Sequence, residues 1–138
     1  MHQIRFTSNP NGKLFLHHFM DVRLFDDEKY ATGNVLEVIL NNKVVGMAKV
    51  VAVKPFKYSH LNDTFSFMNC GKHAAYQASL LQRYYVNEIQ MQPDTRLMQI
   101  VFTWTERNME LFEFLLKEWW QKIVDAQPDH LKKSNNNG

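Results

Sequence analysis

The stretch HHFMDVRLF, residues 17–25, sets ionisable side chains inside an apolar run. His18 is a candidate general base because histidine exchanges a proton near neutral pH, and Asp21 is a candidate to orient it. Arg23 adds a cation that suits a phosphate or a base edge. Neighbouring residues on a strand point to opposite faces, so His17 and His18 do not predict a metal site, and no metal or other cofactor is expected.

Hydrophobic alternation predicts how this run is oriented. Apolar residues at the even positions from Leu14 to Leu24 predict a strand whose even side faces the core and carries His18. The odd side then holds a mixture of aromatic and polar residues, among them Asp21. This parity argues against a direct contact between His18 and Asp21 unless a bulge intervenes. The alternative is a structural strand whose polar residues face the solvent and form no site.

Cys70 supplies a second possible nucleophile. It is the only cysteine, which excludes an internal disulfide, and His73 follows three residues later. A cysteine near a helix start has more thiolate character, so the two could form a nucleophile and its base. Lys72 in the same segment could help to bind an anion. The competing interpretation is that Cys70 is a small buried hydrophobe.

A basic segment follows the candidate strand. No acidic residue lies between Glu37 and Asp63, whereas this span contains Lys43, Lys49, Lys54, Lys57 and His60. Cations next to aromatic rings such as Tyr58 suit single-stranded nucleic acid, which needs phosphate neutralisation and stacking surfaces. Edge lysines on a solvated sheet, with aromatic rings that pin a loop to the core, are the alternative.

The remaining segments predict an α+β domain. Strands are expected at Ile4 and Phe6, on either side of an Asn41-Asn42 hairpin turn, and from Arg96 onward. Gly46 is expected at a bulge or a close backbone approach, and Pro55 is expected to end its strand. Helices are predicted for residues 73–85 and from Glu106, the latter capped by Thr105.

The apolar residues of the last helix exceed one face. Met109, Phe112, Leu116, Trp119 and Ile123 form one stripe, which Leu111, Leu115 and Trp120 widen. These extra residues either pack under the sheet or contact a second subunit, so a homodimer is one hypothesis.

Length and composition bound the class of protein. The chain has 138 residues and a net charge of +2, which fits one near-neutral globular domain. We assign residues 1–127 to this domain and residues 128–138 to a flexible polar tail. The chain shows neither a signal peptide nor a membrane span, so a cytoplasmic location without a membrane partner is expected. Short strands with few helices favour a small, partly open β-barrel with flanking helices, the longest at the C-terminus.

The order of segments resembles the ASCH family of the PUA-like superfamily. The markers are Arg23, the sequence TGNVL at residues 32–36, and then Leu61, Tyr84 and Phe102. The resemblance covers roughly Leu14 to Phe102. It implies a small mixed β-barrel with a cleft for RNA or a nucleoside-like ligand. Some members of the family are amidohydrolases that act on acylated cytidine, and others are ribonucleases.

The catalytic pattern of the family is altered in this chain. The family motif G-x-K-x-x-T-x-R reads Leu16-x-His18-x-x-Asp21-x-Arg23, and the family glutamate falls at Asn69. An amide cannot replace a carboxylate as a general base. The resemblance therefore implies the fold and the cleft but not the family's chemistry.

The leading hypothesis is thus a module that binds RNA or a modified nucleoside. In this hypothesis His18, Asp21 and Asn69 line the pocket, and Tyr58 stacks on the ligand. Arg23 and Lys49 or Lys54 contact phosphate or a base edge, with Lys72 as a further ligand contact. The alternative is a metal-independent hydrolase that uses either His18 with Asp21 or Cys70 with His73.

Overall fold

A single sheet and the helices packed on it form the described part of the chain. The computed structural model describes residues 1–9, 12–64, 66 and 74–130. Five strands lie in the order β1-β3-β4-β5-β2. Their bounds are β1 Gln3–Phe6, β2 His18–Leu24, β3 Val35–Leu40, β4 Lys43–Lys57 and β5 Arg96–Arg107. Helix α1 spans Ala74–Tyr84 and helix α2 spans Met109–Asp125.

The predicted hairpin between β3 and β4 is confirmed. Asn41 and Asn42 have φ angles of 49° and 66°, the left-handed conformation that a two-residue turn between twisted strands requires. Asparagine tolerates this conformation better than most residues do. The close approach predicted at Gly46 is also confirmed, because a Cβ there would lie 2.2 Å from the carbonyl oxygen of Glu106.

The sheet curls into a half-barrel because its ladders contain irregularities. The register shifts between Val38 and Ile39 in β3, and twice along the ladder between β4 and β5. Such bulges increase local twist and bend a sheet. The outermost strands, β1 and β2, therefore approach each other, and the rings of Phe6 and Phe19 lie 6.2 Å apart. This architecture agrees with the predicted α+β class and with a small barrel that remains partly open.

The orientation predicted for residues 14–24 is wrong. Residues Lys13–Phe15 form a 3-10 helix, and β2 begins only at His18, which is exposed. The odd side of β2 faces the main core, where Phe19 stacks on Phe102 with ring centroids 5.0 Å apart. The even side is also buried at Val22, in a second cluster with Leu81 of α1. Alternation failed as a guide because β2 is covered on both faces.

Two predicted element ends are also wrong. β4 continues through Pro55, because β3 pairs with β4 only as far as Lys49, and a proline is tolerated where one strand edge is free. β5 continues to Arg107, so Thr105 lies in the strand and donates to the carbonyl of Met47 at 3.2 Å. Asn108 caps α2 instead, and its side chain accepts from the backbone N–H of Leu111 at 3.1 Å.

Helix α2 packs against the main core and against Phe15 of the 3-10 helix. Phe112 is buried edge-on against Trp104 at 5.1 Å between ring centroids, and Leu111 and Leu115 pack against the main core. Trp120, the third residue that widens the predicted stripe, remains 54% exposed. Met109 and Phe114 are also more than half exposed, so much of the apolar surface of the helix is not covered by the described residues. The homodimer stays a prediction.

Replacing Gly46 with alanine is expected to destabilise the fold by about 1–3 kcal/mol, because the new Cβ meets a carbonyl of the adjacent strand. Urea unfolding measures the change. Val44→Thr is the matched control, since Val44 is half exposed on the same strand and threonine is also β-branched. We expect the control to stay within about 0.5 kcal/mol of the wild type. Equal stabilities for the two variants would contradict the close approach.

Candidate functional site

A buried carboxylate lies at the centre of the candidate site. Asp21 is only 6% exposed, on the core-facing side of β2. Lys13 donates from Nζ to its Oδ1 at 3.0 Å, and Arg23 donates from Nε to its Oδ2. Arg23 is on the same side of the strand, two residues away, and Lys13 comes from the preceding 3-10 helix. The buried charge is therefore paired at both oxygens, as a buried carboxylate requires.

Arg23 connects three elements through its remaining donors. Nη1 donates to the hydroxyl of Tyr84 on α1 at 3.0 Å, and Nη2 donates to the carbonyl of Arg5 on β1 at 2.7 Å. The guanidinium also lies 4.9 Å from the ring centroid of Phe6. Arg23 consequently spans the gap between β1 and β2, which we call the seam.

The pairing determines the protonation state of Asp21. Burial alone would raise the pKa of its carboxyl, but the charges and hydrogen bonds of Arg23 and Lys13 lower that pKa below its usual value. The pKa of Arg23 is raised in turn, because Asp21 outweighs the effect of burial. At neutral pH the site therefore contains a fixed anion, which can accept hydrogen bonds but is poorly suited to take up a proton.

A cavity of about 240 Å³ opens beside this cluster, between the seam and α1. We call it the seam cavity. Its polar lining comes from Thr7, Ser8, Asp21, Arg23, Gln77 and Tyr84, and α1 adds apolar side chains. Gln77 is only 2% exposed, and both atoms of its amide lack a hydrogen-bond partner within the part of the chain that the structure describes.

A second cavity of about 410 Å³ adjoins the first at Arg23 and Tyr84, which line both. We call it the rim cavity. Its other lining residues are Met1, His2, Gln3, Arg5 and Lys29. Burial, and after it the charge of Arg23, lowers the pKa of Lys29, while Asp26 acts in the opposite direction. Because two arginines and a lysine line it, the rim cavity is cationic. The seam cavity instead combines the anion of Asp21 with the neutral amide of Gln77.

The structure brings Asp21 and Arg23 together, but it separates them from the other predicted residues that it describes. His18 is exposed on the opposite face of β2 from Asp21, aligned across the sheet with Thr103 and Lys49. Lys54 is exposed on the same face as Lys49, and neither lysine lines the two cavities.

Tyr58 has a structural role in the described fold. Its hydroxyl donates to the carbonyl of Ala78 on α1 at 2.9 Å, and its ring packs against the second core cluster. The candidates Asn69, Cys70, Lys72 and His73 lie outside the described residues. Because His18 and Asp21 lie on opposite faces of β2, the hydrolase hypothesis that pairs them has no geometric support.

Sequence reasoning missed several of the residues that line the cavities. Gln77 did carry a detectable signal, since it lies four residues before Leu81 and eight before Tyr85, in line with the buried face of α1. A glutamine on an apolar helical stripe predicts a buried amide. Arg5 and Lys29 carried no such signal, because they are brought together only when β1 and β2 approach.

Comparisons with known proteins establish the fold alone. Neither a family model nor a curated protein matches the sequence of this chain. Among solved structures, the crystal structure of protein EF3133 from Enterococcus faecalis V583, of family DUF984, aligns with a TM-score of 0.57. The sequence identity is 13%, and the alignment covers 72% of this chain and 68% of that chain.

Two further properties concern ligands and membranes. Among the described residues there is no group of three or more His, Cys, Asp or Glu side chains that could hold a metal ion. In the same part of the chain, every helix is too short or too polar to cross a bilayer.

Replacing Asp21 with asparagine leaves two buried cations without their anion, so we expect a loss of about 3–5 kcal/mol in the free energy of unfolding. Because the folded pKa of Asp21 is depressed below 3.8, its contribution is present above that pH and is lost as the pH falls through the folded value. The wild type should therefore lose more stability on acidification than the variant does. Urea unfolding between about pH 7 and pH 3 measures both effects.

Asp27→Asn is the matched control, because Asp27 is exposed in the loop after β2. We expect its stability to stay within about 0.5 kcal/mol of the wild type at neutral pH. An Asp21→Asn variant that is as stable as this control would show that the ion cluster does not hold the seam.

Proposed function

We propose that this chain is an ASCH/PUA-like module that binds RNA or a modified nucleoside, with the base in the seam cavity. The observation that carries the proposal is the buried amide of Gln77. Leaving a buried polar group without a partner costs roughly 1–3 kcal/mol, so such a group calls for an explanation. A ligand that occupies the cavity and pairs with the amide provides one.

The amide of glutamine matches the edge of a nucleobase. It offers one acceptor and an NH₂ donor side by side, and the edges of the bases present complementary pairs of donors and acceptors. Asp21, fixed as an anion, adds an acceptor for an amino or hydroxyl group, and Thr7 and Ser8 add hydroxyls at the end of β1. A small planar polar ligand fits this combination better than an apolar one does.

Tyr84 is the proposed stacking surface. Its ring lines the seam cavity and remains 54% exposed, while its hydroxyl is oriented by Arg23. Aromatic rings of this kind bind bases by stacking, with little preference for sequence. Tyr84 thus takes the role that the sequence analysis assigned to Tyr58.

The resemblance to the ASCH family supports the same location. Arg23, the residue of the family motif that this chain retains, lines both cavities. The position of the family threonine is Asp21, whose two oxygens are held by cations. Because this carboxylate is paired and has a lowered pKa, binding is favoured over general-base hydrolysis at the seam.

Replacing Gln77 with methionine should abolish binding without loss of stability. Methionine has a similar volume and no polar group to satisfy, so the free energy of unfolding should be unchanged or higher. Calorimetric titration with cytidine, N-acetylcytidine and adenosine measures binding, and urea unfolding measures stability. Gln82→Met on the exposed face of α1 is the matched control, and we expect it to bind as the wild type does. Unchanged affinity in the Gln77 variant would overturn the proposal.

Short single-stranded RNAs test whether the ligand is part of a chain. If the module binds RNA through phosphates as well as a base, the logarithm of the affinity falls linearly with the logarithm of the salt concentration. Filter binding at several salt concentrations measures this slope. Binding to nucleosides but not to RNA would restrict the proposal to the small ligand, and RNA binding that is indifferent to salt would exclude phosphate contacts.

A further inference from the structure

We propose that the rim cavity is a phosphate-binding subsite in which Arg5 and Lys29 contact the phosphate oxygens and Arg23 separates phosphate from base. The anion-binding capacity follows from the cavity's own charges. That the phosphate belongs to a nucleotide rests on the proposed function, because the base would occupy the adjoining seam cavity.

The charges around the rim cavity are of one sign. Its lining includes Arg5, Arg23 and Lys29, and it includes no carboxylate among the residues that the structure describes. Asp21 pairs with Arg23 from the side of the seam cavity. Arg5 and Lys29 therefore contribute positive charge that no anion within the cavity compensates.

Arg5 is held in place by a neutral partner. Its Nη2 donates to Oε1 of Gln3 at 2.9 Å, and the amide of Gln3 in turn donates to Oε1 of Glu37 at 2.8 Å. The amide thus stands between the guanidinium and the nearest carboxylate of this network. The hydrogen bond to Gln3 orients the side chain of Arg5, while other N–H groups of its guanidinium remain available to a ligand. A guanidinium can donate to two phosphate oxygens at once.

Lys29 is anchored close to a like charge. Its backbone N–H donates to Oδ1 of Asp26 at 3.0 Å, and its Nζ lies 5.3 Å from the ring centroid of Tyr30. Partial burial and the nearby Arg23 both disfavour its ammonium form, which lowers its pKa. An anion bound between these cations would relieve their repulsion, so the rim cavity is electrostatically suited to bind one.

Phosphate fits this cavity better than a carboxylate does. A phosphate monoester carries up to two negative charges and three terminal oxygens, and the rim offers an arginine fork, an ammonium group and a second guanidinium. The rim and seam cavities meet at the Arg23–Tyr84 pair. One mononucleotide could therefore place its base in one cavity and its phosphate in the other.

The test compares nucleosides, nucleotides and inorganic phosphate by calorimetric titration. We expect wild-type protein to bind CMP or AMP at least roughly tenfold more tightly than cytidine or adenosine, since charge-assisted hydrogen bonds are among the stronger ones. We expect Arg5→Gln and Lys29→Gln to remove this difference and to leave nucleoside binding unchanged. Lys49→Gln, an exposed lysine remote from both cavities, is the matched control and should retain the difference.

The outcomes separate the subsite from the base pocket. Phosphate binding that depends on Arg5 and Lys29, with no response to the base, would support the anion subsite and overturn the nucleoside proposal. Equal affinities for nucleoside and nucleotide, with no binding of inorganic phosphate, would overturn the subsite and leave the nucleoside proposal intact. Circular dichroism of each variant confirms that the fold is retained.

Discussion

The buried charge of Asp21 is the constraint on which the seam depends. A carboxylate inside a protein requires positive partners, and the fold supplies them from two directions. Lys13 approaches from the 3-10 helix before β2, and Arg23 follows two residues later on the same face of the strand. Because Arg23 also donates to β1 and to Tyr84 on α1, one ion cluster links the 3-10 helix, β2, β1 and α1.

The same cluster gives the two cavities different chemistry. On the inner side, the carboxylate of Asp21 lines the seam cavity together with the neutral amide of Gln77. On the outer side, Arg23 lines the rim cavity with Arg5 and Lys29, and no carboxylate is among its described lining residues. The nucleotide proposed above would need these two environments for its base and its phosphate, and a single arginine lies between them.

Local signals in the sequence were sufficient for part of this structure. The hairpin at Asn41-Asn42 and the first helix follow from residues close together in the chain, and both were predicted. The buried face of β2 was not, because an aspartate can face the core only where Lys13 and Arg23 pair with it. The continuation of β4 through Pro55 depends on where β3 ends, which no local pattern reveals. Gln77 is an intermediate case. Its place on the buried face of the helix could be predicted from its spacing, but the lack of a hydrogen-bond partner for its amide among the described residues could not.

The candidate site lies where the barrel does not close. In a closed barrel a backbone ladder between β1 and β2 would fill the seam. Here side chains satisfy the edge groups instead: Arg23 donates to the carbonyl of Arg5, and the hydroxyl of Tyr85 accepts from the backbone N–H of Leu24 at 3.2 Å. Side chains hold the two edges farther apart than a ladder does, and they present polar atoms to the space between. Among the described residues, the exposed lysines of β4 line neither of these two cavities, so the seam, rather than the most basic segment of the sequence, is the candidate location for a small polar ligand.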